Sequence, residues 1–204
     1  KTLFPYTTLF RSSDAPLFLL GDPKQAIYSF RNADLPTYLA ARASAHAAHT
    51  LGDNQRACAG LLEALNTLYA RHALPFMLPQ LEHHPVRLGA KPRPAFVDRS
   101  GGPPQAPLTL WRLPRDGAGR LLSAAEATTA AAQATAAEIA RLLAAAQRGA
   151  VMLGERALAA GDIAVLVRSH RQGSAVRQAL AQWGVGSVEL SQDSVFAKIG
   201  RAHV

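Results

Sequence analysis

The sequence predicts an α/β fold, a parallel sheet with flanking helices, on three observations. Leu17-Phe18-Leu19-Leu20 is a short apolar run closed by Gly21 and Pro23, the pattern of a strand buried on both faces. Asp162-Ile163-Ala164-Val165-Leu166-Val167-Arg168 is a second run of the same kind. Beyond it, Val176, Leu180 and Trp183 mark a helix and Ser187-Val188-Glu189-Leu190 a further strand, so strand, helix and strand succeed one another as a βαβ unit. A chain of 204 residues, 49% hydrophobic, holds one large domain or parts of two, with enough apolar material for a core.

Charge and cysteine content narrow the class. Lys+Arg 22 against Asp+Glu 14 gives a formal charge of +8 and a pI near 10.4, which favours a polyanionic partner and suits nucleic acid better than acidic protein surfaces. Cys58 is alone, which excludes an internal disulfide and fits a cytoplasmic chain. No apolar run reaches the roughly 18 residues of a membrane span. The two ends, 1–12 and 199–204, lack capping logic and resemble translated sequencing-adaptor read-through. They are expected to be non-native, and the natural chain is then expected to continue past both. The rival reading of the N-terminus, a signal peptide or half-apolar strand, lacks a small-residue cleavage site and a continuous apolar core.

In order along the chain, the first strand is followed by Gly21-Asp22-Pro23-Lys24-Gln25-Ala26-Ile27-Tyr28-Ser29-Phe30-Arg31-Asn32-Ala33-Asp34. Ligands gather beyond the carboxyl ends of parallel strands, where Gln25 would stand. Its amide both donates and accepts, as a residue sensing a terminal phosphate must. Tyr28 and Phe30, two apart, can share one side and stack on unpaired bases, with the Arg31 fork beside them for phosphate. The plainer alternative is a strand-turn-helix with two core aromatics and a surface arginine.

Asp34 caps a predicted helix with Pro36 in its first turn, running to about His46. His46 and His49 have no third ligand spaced with them, so no metal site is expected. A loop then carries Asn54, Gln55 and Arg56 to the start of an amphipathic helix marked by Leu61, Leu62, Leu65, Leu68 and Tyr69. There a guanidinium and backbone amides could meet phosphate oxygens together, although a surface arginine near a helix start explains the pattern as well.

Residues 70–107 form a proline-rich excursion that Pro75-Phe76, Leu81 and Pro85-Val86 are expected to fasten to the domain surface. Its arginines and Lys91 suit a solvated face or a DNA backbone. Leu108 to Leu113 alternates as a strand does. Ser123 and Glu126 form a capping box for an alanine-rich helix to about Arg148, closed by Gly149, whose alanines imply close packing. Ser169 to Gly173 read as a turn before the last helix, which Gly184 ends.

The stretch Gly21 to Asp34 resembles motif III of the UvrD-type superfamily 1 helicases, in the version carried by RecB subunits of RecBCD helicase-nucleases. The resemblance implies that Gln25 senses the ATP γ-phosphate and that Tyr28, Phe30 and Arg31 line a single-stranded DNA track. Asn32 replaces the usual glycine, a mild departure because asparagine tolerates left-handed turns. Asn54-Gln55-Arg56-Ala57 resembles motif IV, Asn-aromatic-Arg-Ser. It implies nucleotide contacts by Asn54, Gln55 and Arg56, with Arg56 as an arginine finger; Gln55 stands where an aromatic would stack on adenine, which puts that stacking in doubt. The run 162–169 and Ser191 to Phe196 are similar to the second motor domain.

The implied fold is an incomplete RecA-like P-loop NTPase motor: 13–47 the C-terminal end of the first motor domain, 48–198 part of the second. The implied parent is an ATP-dependent DNA helicase of double-strand break repair and recombination that couples ATP hydrolysis to translocation on single-stranded DNA. Its implied ligands are ATP, Mg2+, single-stranded DNA and duplex ends, and its partners RecC-like and RecD-like subunits. The sequence holds no Gly-x-x-x-x-Gly-Lys-[Ser/Thr] loop and no acidic pair upstream of motif III, so Mg2+ ligands are expected outside it and the chain alone is expected to be inactive. An AddA-like or UvrD-like helicase, or a non-motor nucleic-acid-binding α/β module, are the alternatives.

Overall fold

A computed structural model describes residues 18–25, 34–101 and 106–189, and of Gln25 the backbone alone. The described residues form four α-helices and five short strands, a mixed α/β structure. The chain divides into two compact units between Lys91 and Pro92.

In the first unit, a 3₁₀ turn at Pro23–Gln25 precedes α1, Leu35–Ala43. Asp34 is its N-cap residue and Pro36 lies in its first turn, where the missing N–H costs nothing. It stops short of His46 because Ser44 turns back, its amide bonding the Ala40 carbonyl at 3.1 Å and its hydroxyl the Ala41 carbonyl at 3.0 Å. Strand β1, Asp53–Asn54, pairs in parallel with β2, Arg87–Leu88, and between them lies α2, Ala59–Ala70. The excursion is fastened as expected at three points. Phe76 stacks on Tyr69 at 5.4 Å, Leu81 is buried, and Val86 is gripped by Asn66, whose amide donates to the Val86 carbonyl at 2.9 Å and accepts from its N–H at 3.1 Å.

In the second unit, β3, Phe96–Asp98, β4, Val151–Leu153, and β5, Arg156–Ala157, form an antiparallel sheet in that order. Helix α3, Ala124–Gln147, starts on the predicted capping box: Glu126 N–H donates to Ser123 Oγ at 3.3 Å, and Ser123 N–H to the Glu126 carboxylate at 2.8 Å. It ends in a Schellman motif, with Gly149 at φ 71°, Gly149 N–H on the Ala146 carbonyl and Ala150 N–H on that of Ala145, both at 2.9 Å. Helix α4, His170–Gln182, is capped by Ser169 and ends in the same motif at Gly184. It therefore takes in most of the expected 169–173 turn.

The core has two clusters. Ala132, Ala136 and Ile139 of α3 pack on Ala179 and Leu180 of α4, and Ala145 and Ala146 pack on Val151 and Leu158; Ile163 touches both. The alanines of α3 thus serve close packing, on a helix as well as on a strand.

Four predicted strands are not found among the described residues. Phe18–Leu20, Leu108–Leu113, Ile163–Val167 and Ser187–Glu189 have no strand pairing, and Leu20, Leu110, Leu166 and Val188 are exposed. A strand is held by backbone hydrogen bonds to at least one neighbouring strand, and no described strand is paired with these runs. The βαβ unit therefore reduces to its helix, and the parallel sheet to the β1–β2 pair.

Segment 156–162 is closed by Arg156, whose guanidinium grips Asp162 with two bonds of 2.6 Å. That grip, with the Ala159 N–H, lowers the Asp162 pKa from 3.8 to about 2. A carboxylate with a depressed folded pKa stabilises above its ordinary pKa and loses that contribution as pH falls through about 2. The Asp162 carboxyl resonance is expected to titrate near pH 2, and Arg156→Ala to move its midpoint up toward 3.8.

Candidate nucleotide-facing turn

Parallel pairing of β1 with β2 fixes the start of the site. Arg87 N–H donates to the Gly52 carbonyl at 2.8 Å and Gly89 N–H to the Asn54 carbonyl at 2.9 Å, while Asp53 pairs with the Arg87 side chain at 3.0 Å. The chain then turns sharply. Asn54 Oδ1 accepts from Arg56 N–H and Ala57 N–H, each at 2.8 Å, an Asx-type turn that asparagine makes through its short side chain.

Gln55 is exposed at its surface but engaged: its Oε1 accepts from Lys91 N–H at 3.1 Å, and its carboxamide occupies the space a Cβ on buried Gly89 would take. Arg56 differs from both. It is exposed, and among the described residues no carboxylate pairs with its guanidinium. Two residues on, Cys58 is the N-cap residue of α2 and gives no side-chain cap bond, and the first turn holds no acidic residue. A cation and uncapped helix amides thus stand together, which suits an anionic ligand.

Motif III is described in part. Gly21 lies under the Tyr38 ring, where a Cβ would come within 2.8 Å of Cε2. Lys24 N–H donates to Asp22 Oδ1 at 3.0 Å, its ammonium lies 3.5 Å from the same oxygen, and it sits 5.9 Å from the centre of the Phe76 ring. Tyr69 joins that ring to His83 at 5.2 Å. The turn that leads into Gln25 is therefore seated on the excursion, whose Phe76 packs on Tyr69 of α2. Tyr28, Phe30, Arg31 and the Gln25 side chain lie outside the described residues, as does Ser191 to Phe196.

The sequence reading passed over Asn66 and Gly89 and gave Lys91 to a solvated or DNA-facing surface; the Gly89 and Lys91 N–H groups hold this turn, and Asn66 holds the Val86 that leads into β2. An asparagine inside an amphipathic helix, where it weakens the helix unless bonded elsewhere, was the available signal for the first.

The sequence model of the UvrD/REP helicase N-terminal domain matches residues 4–46, which include part of the terminal segment set aside as non-native. The RecBCD enzyme subunit RecB of Escherichia coli K12 is 37% identical over 189 residues, covering 90% of this chain. The chain belongs to the RecB-like group of UvrD-type helicases. RecB of Mycobacterium tuberculosis CDC 1551 is 36% identical over 202 residues, 91% of this chain, and RecB of Buchnera aphidicola from Acyrthosiphon pisum 30% over 186 residues, 88% of it. The chain spans 16%, 16% and 15% of the lengths of these three relatives.

Among the described residues, no group of three or more His, Cys, Asp or Glu side chains comes together, and no helix is long and apolar enough to cross a membrane.

Proposed function

We propose that this chain is the part of a RecB-type, ATP-dependent DNA helicase where nucleotide state is read and passed to the DNA track. The observation that carries the reading is the Asn54–Arg56 turn: two amide side chains hold the backbone, and the third side chain, a guanidinium, is left for a ligand. The RecB relatives support it, as does the net charge of +8. In the reading, 13–47 ends one RecA-like motor domain and 48–198 belongs to the next. Gln25 reports the γ-phosphate, Arg56 stabilises charge on it during transfer, Asn54 and Gln55 shape the nucleotide wall, and Tyr28, Phe30 and Arg31 hold single-stranded DNA.

ATP is then the substrate. The carboxylate beside the turn, Asp53, is paired with Arg87, and the described residues bring together no group of three or more His, Cys, Asp or Glu, so magnesium ligands are assigned to other parts of the parent protein and no step here is drawn through the ion. The parent protein works on DNA ends in the cytoplasm with RecC-like and RecD-like subunits, in break repair and recombination.

The test is Gln25→Ala in the full-length protein, with ATP turnover measured with and without single-stranded DNA. Loss of one hydrogen bond to a charged group, about 1.5 kcal/mol, should cut DNA-stimulated turnover about tenfold. Undiminished stimulation would sink the assignment.

A further inference from the structure

We infer that Gln55 is a positioning residue that aims Arg56, and not a contact for the adenine ring; the inference rests on the reading of this turn as nucleotide-facing. Its side chain points into the protein's own backbone. Oε1 accepts from Lys91 N–H at 3.1 Å, and the carboxamide fills the space that only a glycine at 89 leaves open. One residue earlier, the Asn54 carbonyl accepts from Gly89 N–H at 2.9 Å. The turn is thereby stitched twice, through successive residues, to the segment just after β2.

Chemistry favours this use. A glutamine has no π face with which to hold a purine, but it has the acceptor that Lys91 N–H requires and an aromatic ring lacks. Arg56 gains what Gln55 supplies. With no carboxylate among the described residues to orient it, the guanidinium takes its direction from the backbone of the turn. Electrostatic stabilisation of a transferring phosphoryl group depends on such preorganisation, and a misplacement of about 1 Å can cost on the order of 10²-fold in rate.

The experiment uses the full-length enzyme assembled with its partner subunits, comparing Gln55→Ala, Gly89→Ala, the double variant, Gln55→Glu and Arg56→Ala. Gly89 does not take a positive φ, so alanine suits its backbone, and the group that it displaces is the flexible end of Gln55. The readouts are kcat and KM for ATP and for GTP with saturating single-stranded DNA.

Gln55→Ala and Gly89→Ala should each lower kcat about tenfold, within the range that misalignment allows, with KM for ATP and the ATP-over-GTP preference unchanged. The double variant should be no worse than either single one, because both undo the same seat. Gln55→Glu keeps the acceptor and should keep most of kcat. A raised KM for ATP with altered base preference at normal kcat would overturn the inference, as would additive losses in the double variant. Normal kcat in Gln55→Ala beside a crippled Arg56→Ala removes the inference alone; normal kcat in Arg56→Ala removes the underlying reading with it.

Discussion

Arg56→Ala is expected to reduce ATP turnover of the full-length enzyme by about 10³-fold or more, the effect of removing an arginine finger from a phosphoryl-transfer site. The magnitude follows from where the side chain stands. Arg56 is exposed at the start of α2, its own N–H is held by Asn54, and among the described residues no carboxylate neutralises its charge. Its loss therefore costs little folding energy, and the deficit should fall on the chemical step. Lysine keeps the charge but not the planar fork, so Arg56→Lys should recover only part of the rate. Steady-state kinetics with nucleotide binding measured separately decides the matter: a variant that binds ATP normally and turns it over slowly is the expected result. Normal turnover would remove Arg56 from the site.

The second large effect is on stability. Leu180→Ala should destabilise the second unit by about 2–5 kcal/mol, the range for deleting a fully packed leucine. Leu180 is 4% exposed and sits among Ala132, Ala136, Ile139 and Ala179; the three alanines bring α3 and α4 close and leave little freedom to collapse into a cavity. Urea unfolding, with hydrogen exchange in α3 and α4 as the local probe, measures it. The converse change, Ala136→Leu at a fully buried position, should cost about 1–3 kcal/mol by overpacking the same contact. A change below 0.5 kcal/mol in Leu180→Ala would mean that the two helices do not share a core.

Helices were legible in the sequence because their signals are local. Ser123, Glu126 and Gly149 mark both ends of α3 within a few residues, and Asp34 with Pro36 marks the start of α1. Strands were not, because an apolar run such as Ile163 to Val167 states a preference whose partner lies elsewhere. The strands that did form among the described residues, β1 to β5, are two or three residues long, too short for a period to show. One signal was passed over: Gly154-Glu155 joins β4 to β5 as a two-residue loop with positive φ at the glycine, the arrangement of a type II′ hairpin.

At the candidate site, Asn54 and Arg56 could be chosen by residue chemistry. That Gln55 faces Gly89 could not, because the pairing of β1 with β2 brings together residues separated by a whole helix and the first part of the excursion.

The run from Ile163 to Val167 carries one more consequence. Ile163 is extended, with φ −108° and ψ 126°, and the residues after it offer apolar side chains and unladdered amides to the solvent, with no proline or charge until Arg168. Such a strip is adhesive toward any other strand, its own copies included. Handled by itself in concentrated solution, this polypeptide would be limited by self-association along that strip before any failure of its helices.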